Sequence, residues 1–123
     1  MNRTKPRMEL EDRTMAFGLA TLKMLRDTPA GVEMKNIRRQ LTHSAASMGA
    51  TYRTANLSES RTEYAAGIAA TRRNAAESEY WLKIAKELHP DLPGIEGLHR
   101  ESMELLAHFD RLRRSAEKRR NQG

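Results

Sequence analysis

Residues 40–82 decide the fold of this chain, and they read QLTHSAASMGATYRTANLSESRTEYAAGIAATRRNAAESEYWL. Small and apolar residues recur every three or four positions up to Ala55, and the same spacing resumes at Tyr64. This period is typical of amphipathic helices. Residues 56–59 between the two segments, three of which are polar, predict a turn. Ser60 and Glu63 then predict a capping box, in which each side chain accepts a hydrogen bond from the other residue's backbone N–H.

The flanking segments repeat the helical period. Met15, Leu19 and Leu22 fall on one stripe of a predicted first helix that begins at Met8 and ends before Pro29. A fourth helix is indicated by a seam with alternating spacings of three and four: Ile95, Leu98, Ser102, Leu105, Phe109, Leu112 and Ala116. Four helices with short connections predict an all-α fold, an antiparallel up-down-up-down four-helix bundle. We expect one domain over residues 1–123, with a flexible basic N-terminus (1–7) and a flexible basic C-terminal tail (about 114–123).

The composition limits the classes of function. The chain has 22 Lys and Arg against 16 Asp and Glu, a formal net charge of +6 and a pI near 10.1. It has no cysteine, which excludes disulfides, thiolate nucleophiles and cysteine-bound metal sites. The apolar runs are too short to span a bilayer, so we expect no membrane partner and a cytoplasmic location. The positive balance favours a polyanionic partner such as nucleic acid, with simple solubility as the alternative reading.

Basic residues occur in three groups, on the second helix, on the third helix and at the C-terminus. Arginine suits phosphate because its planar guanidinium donates two parallel hydrogen bonds. Since no base-reading motif is present, binding is expected to follow shape and phosphate contacts. The alternative is a solvated face paired with neighbouring glutamates. The candidate nucleic-acid-binding residues are Lys35, Arg38, Arg39, Arg53, Arg72, Arg73, Arg113, Arg114, Lys118, Arg119 and Arg120.

Small and aromatic residues are candidates for helix packing or a subunit interface. Gly49 lies in mid-helix, where glycine costs about 1 kcal/mol relative to alanine, so a close helix approach is expected there. Tyr80 and Trp81 could stack on bases, but beside Leu82 they are interpreted as core or interface anchors. The interface candidates are Ala46, Gly49, Ala50, Tyr52, Tyr80 and Trp81.

An enzymatic reading finds little support in the sequence. Four-helix bundles hold di-iron centres through two Glu-x-x-His pairs, and Glu96 with His99 matches one such pair. A second pair is missing, and Glu96 lies at a helix start. We therefore expect no catalytic activity, metal or cofactor.

Several elements of the central stretch resemble the bacterial four helix bundle protein family, whose members are related to proteins encoded in intervening sequences of 23S ribosomal RNA genes. The resemblance covers the second and third helices and is only architectural elsewhere. Thr51 departs from the family pattern, which has asparagine there. The matching elements are Gln40-Leu41, Ser44-Ala45, Ser47-x-Gly49-Ala50-x-Tyr52-Arg53, Ser60-x-x-Glu63-Tyr64 and Glu79-Tyr80-Trp81-Leu82.

This resemblance implies a left-handed bundle that assembles as a homopentamer and has no enzymatic activity. A distant relation, the accessory protein of diversity-generating retroelements, shares the architecture and uses a basic surface for nucleic acid and reverse transcriptase. Nucleic-acid binding, RNA before DNA, is accordingly the expected function. A scaffold for a protein partner, which does not bind nucleic acid, is the alternative.

Overall fold

The computed structural model describes residues 4–29 and 31–122, and this part of the chain is helical throughout apart from its connections. The helices are α1 (Lys5–Asp27), α2 (Val32–Asn56), α3 (Arg61–Leu88) and α4 (Ile95–Gln122). Each helix packs against the next one along the chain, and α4 closes the ring against α1 through a much smaller contact. The predicted all-α four-helix bundle is confirmed.

The core is built by the seams of α2 and α4 and by the inner face of α3. On α2, every seam residue from Met34 to Ala55 is buried, as its spacing predicts. Tyr52 meets Phe109 of α4 edge to face, with ring centroids 5.1 Å apart. Tyr52 is therefore a core residue, and burial raises the pKa of its phenol.

The predicted stripe of α1 is wrong. Met15 is 66% exposed and Leu19 is 52% exposed, while Thr14, Thr21 and several apolar neighbours are buried. The reason is that α1 approaches α2 closely: a Cβ atom added at Gly18 would lie 3.0 Å from the carbonyl oxygen of Ala45. Threonine fits this contact, and the Thr14 hydroxyl donates to a carbonyl oxygen one turn earlier in α1.

Both ends of the chain are more helical than the sequence predicts. Thr4 caps α1, because its hydroxyl accepts from the backbone N–H of Arg7 at 3.4 Å. Helix α4 continues to Gln122, with Ala116 buried and Arg113 paired with Glu117 one turn later. The structure thus places residues 5–7 and 114–122 in helices, and residues 1–3 and 123 lie outside the described part.

The turn between α2 and α3 forms only half of the predicted capping box. The Ser60 hydroxyl accepts from the backbone N–H of Glu63 at 3.0 Å. The Glu63 carboxylate instead accepts from the backbone N–H of Glu59, at 3.2 Å. The glutamate therefore stabilises the preceding turn, and the N-cap bond that starts α3 is present as predicted.

A polar network joins α2 to α3 at Thr51. Thr71 donates its hydroxyl hydrogen to the Thr51 hydroxyl oxygen at 3.1 Å, and the Asn74 amide donates to the same oxygen at 3.3 Å. Thr51 therefore accepts hydrogen bonds from two side chains of α3.

Candidate nucleic-acid interface

The structure does not bring the predicted basic residues together on one surface. Lys35 and Arg39 are exposed in the first turns of α2, whereas the basic segment of α4 lies at the opposite end of the bundle. A helix of 25 residues is about 37 Å long, so a single small site cannot include both groups. Arg73 is exposed on the middle of α3, between these two ends.

Three of the candidate arginines pair with carboxylates or backbone carbonyl oxygens, while Arg39 and Arg120 only donate to Asn36 and Asn121 on their own helices. Arg38 donates from its guanidinium to the carbonyl oxygens of Leu25 and Thr28, which caps the C-terminal end of α1. Arg72 pairs with Asp110 of α4. Arg113 pairs with Glu117 at 3.1 Å. These guanidiniums hold helices or helix turns, so we leave them out of the candidate interface.

The last three turns of α4 carry the densest group of exposed cations. Arg114, Lys118, Arg119 and Arg120 are all exposed, and none has a carboxylate partner within residues 4–29 and 31–122. Arg61, the first residue of α3, joins them because its Nη1 donates to the backbone carbonyl oxygen of Arg119 at 3.4 Å. We call these five residues the α4 basic band.

Arg61 was missed by the sequence reasoning, although a signal was available. In an up-down-up-down bundle, the start of α3 lies at the same end as the finish of α4. A basic residue directly after the Ser60 cap therefore had to lie near the C-terminal arginines. Combining the topology with the position of the cap would have identified it.

The interface candidates separate into packed and exposed positions. Gly49 faces α1, where an added Cβ atom would lie 3.3 Å from the Thr14 hydroxyl oxygen. Trp81 is half-buried against the core and meets the exposed Tyr80 edge to face, with ring centroids 5.1 Å apart. Two nearly perpendicular rings offer no flat platform for successive bases.

Ala46 and Ala50 are exposed and belong to a continuous apolar surface, which we call the outer apolar face. Two shallow grooves form it, one between α1 and α2 and the other between α2 and α3. Arg53 lies at its edge, beside Asp12. The exposed or half-buried apolar residues that line the grooves are Met15, Leu19, Leu22, Ala46, Ala50, Leu57, Ala66 and Ala70.

The residues considered for a metal site have other partners. His99 is buried and lies 2.7 Å from a carboxylate oxygen of Glu79 on α3, while Glu96 pairs with Arg100 at the exposed start of α4. Within the described ranges, His, Asp and Glu form no group of three close enough to hold a metal ion.

No protein-family model, curated protein or solved structure matches this chain. Across the described ranges, none of the four helices is both long and apolar enough to cross a membrane.

Proposed function

We propose that this protein binds nucleic acid, RNA before DNA, through the α4 basic band and without catalytic activity. The observation that carries the proposal is the group of five cations that the last turns of α4 and the start of α3 present to solvent without carboxylate partners in the described chain. The preference for RNA rests on the family resemblance.

The spacing of the band suits a phosphate backbone. Arg114 and Lys118 are one turn apart, about 6 Å along the helix axis. Successive phosphates of one duplex strand advance about 3.4 Å along the axis, so this pair spans about two nucleotides. Binding should release condensed counterions and weaken as salt rises, with little dependence on sequence.

We expect the double variant Arg114→Gln with Lys118→Gln to bind a structured ribosomal RNA fragment more weakly than the native protein. Losing two phosphate contacts should make the slope of log affinity against log salt shallower by about 1.5. Fluorescence anisotropy across a salt series measures this slope, with a DNA duplex of equal length to test the RNA preference.

The matched control is Lys23→Gln with Lys83→Gln, which removes the same charge from exposed positions on α1 and α3. Its slope should equal that of the native protein. Equal slopes for the two double variants would show that the band is not the site. An absence of binding at low salt would contradict the proposed function itself.

The outer apolar face favours a second candidate function, an interaction module that assembles with further copies of itself. Its grooves are lined by acidic residues, Asp12 and Glu63, as well as by Arg53. A surface with both signs of charge can pair with its own copy, whereas its acidic residues repel nucleic acid. The family resemblance implies a homopentamer.

Under this second proposal, Leu19→Lys should convert the oligomer to a folded monomer, because Leu19 is 52% exposed in the isolated chain. Light scattering coupled to size-exclusion chromatography measures the mass. The control is Met103→Lys on α4, which changes a comparably exposed residue away from the outer apolar face. A monomeric native protein, or equal masses for both variants, would contradict the proposal.

A further inference from the structure

A cleft of about 530 Å³ lies between the N-terminal half of α1 and the C-terminal half of α4, the neighbouring helices with the smallest contact. Four arginines line it, against one carboxylate among the described lining residues, that of Glu9, which is 4.0 Å from Lys5 Nζ. Since Arg13 is paired with Glu101 and Glu104, the excess of positive charge comes from the other three arginines. The four arginines are Arg7, Arg13, Arg111 and Arg119.

Arg13 is held in a fixed orientation by α4. Its Nε and Nη2 each lie 2.7 Å from a carboxylate oxygen of Glu101, and Nη2 also lies 3.1 Å from Glu104. These hydrogen bonds raise the pKa of the Arg13 guanidinium. The remaining nitrogen, Nη1, lies 3.2 Å from Nε2 of His108.

Both ring nitrogens of His108 face a guanidinium, which can only donate, and a neutral imidazole has one accepting nitrogen. Because Glu101 and Glu104 fix Arg13 whereas Arg111 is exposed, we assign the acceptor to Nε2 and the ring proton to Nδ1. Nδ1 lies 3.0 Å from Nη2 of Arg111, which is also only a donor. Two hydrogen-bond donors therefore face each other at the edge of the cleft, and the arrangement lacks an acceptor.

Arg7 also lines the cleft. Its guanidinium lies over the ring of Tyr64, 4.6 Å from the centroid, and its Nη1 is buried without a hydrogen-bond partner in the described part of the chain. Arg7 and Arg13 are about 9 Å apart along the axis of α1. The cleft thus has arginines on both of its helices.

We propose that this cleft binds a phosphate group, which accepts hydrogen bonds from His108 Nδ1–H and Arg111. A phosphate has several acceptor oxygens, and guanidinium groups match them with paired donors. The phosphate could be free or part of a nucleotide. Arg119 belongs to both the cleft and the α4 basic band, but the proposed phosphate contacts, His108 and Arg111, lie outside the band, so the two proposals can be tested separately.

The electrostatics of His108 provide a specific readout. Burial lowers the pKa of His108, Arg111 and Arg13 lower it further, and Glu104 and Glu101 oppose this effect. A bound phosphate would add negative charge beside the ring and stabilise the imidazolium. The pKa of His108 should therefore be higher in phosphate than in chloride by about 1.

The first experiment measures the imidazole pKa values of the intact protein by NMR, in inorganic phosphate and in chloride at equal ionic strength. His43, exposed on α2, is the internal control for general charge effects. A rise at His108 that is absent at His43 supports the site. Equal pKa values of His108 in the two salts would overturn it.

The second experiment measures binding of inorganic phosphate, adenosine monophosphate and adenosine by calorimetry. Arg111→Gln should weaken phosphate binding at least tenfold, because a hydrogen bond to a charged group is lost. Arg100→Gln, a substitution at an exposed position of the same helix outside the cleft, should leave phosphate binding unchanged.

The three ligands distinguish the source of the phosphate group. Tighter binding of adenosine monophosphate than of inorganic phosphate would show that the cleft takes a nucleotide. The phosphate site would be contradicted if adenosine bound as tightly as adenosine monophosphate. It would also be contradicted if Arg111→Gln and Arg100→Gln reduced the affinity for phosphate equally.

Discussion

Asn56→Asp should destabilise the protein by about 2–4 kcal/mol at pH 7, because it places a second carboxylate against a buried one. Asn56 is fully buried at the end of α2, and its amide nitrogen donates to a carboxylate oxygen of Glu11 at 2.9 Å. Glu11 is itself 8% exposed. The substitution keeps the size of the side chain and replaces a donor with a like charge.

The loss of stability caused by Asn56→Asp should increase as the pH rises. In the folded variant, burial and the neighbouring Glu11 raise the pKa of the new carboxyl above its unfolded value near 3.9. A folded pKa above the unfolded one means that the folded state binds the proton more tightly. The difference in stability between native protein and variant should therefore be small at pH 4 and grow as the pH rises through the raised pKa.

Urea unfolding at several pH values measures both effects. The control is Asn36→Asp, the same chemical change at an exposed position near the start of α2, where a negative charge suits the helix dipole. That variant should differ from the native protein by less than about 0.5 kcal/mol. A similar loss in both variants, or a loss at position 56 that does not change with pH, would contradict the charge argument.

The sequence correctly predicted the core-facing side of a helix wherever that side is apolar. On α2 and α4 the spacing of large side chains identifies the core. On α1 it does not, since Thr14 and Thr21 are buried while Met15 and Leu19 are exposed. A close contact between helices selects small side chains, and hydropathy alone cannot distinguish such a face from a polar one.

The sequence predicted which types of residue form the candidate site, but not which of its arginines are paired with other residues of the chain. Arg38 binds carbonyl groups that are ten and thirteen residues earlier in the chain. Arg72 pairs with Asp110, 38 residues later. Which arginines remain available to a phosphate therefore depends on contacts between helices. The mismatch of donors at His108 arises in the same way, because it needs Arg13 from α1 to be oriented by α4.

Gly67→Ala should destabilise the bundle by about 1–3 kcal/mol through overpacking. The added Cβ atom would lie 2.6 Å from the Cβ of Ala55 and 3.1 Å from its Cα. Neither methyl group can rotate away, since both are attached directly to helix backbones. Helices α2 and α3 must separate, which also disturbs the buried hydroxyl contact between Ser44 and Ser78.

Gly97→Ala on α4 is the matched control, because an added Cβ atom there meets nothing within 4 Å. It should stabilise the protein by up to about 1 kcal/mol, the usual gain in helix propensity. Both substitutions restrict the unfolded chain equally and both replace a helical glycine, so their difference isolates the contact between α2 and α3. Urea unfolding should therefore give changes of opposite sign. Equal stabilisation by both would show that α2 and α3 do not approach each other at Gly67, and the small residues of this stretch would then need another explanation.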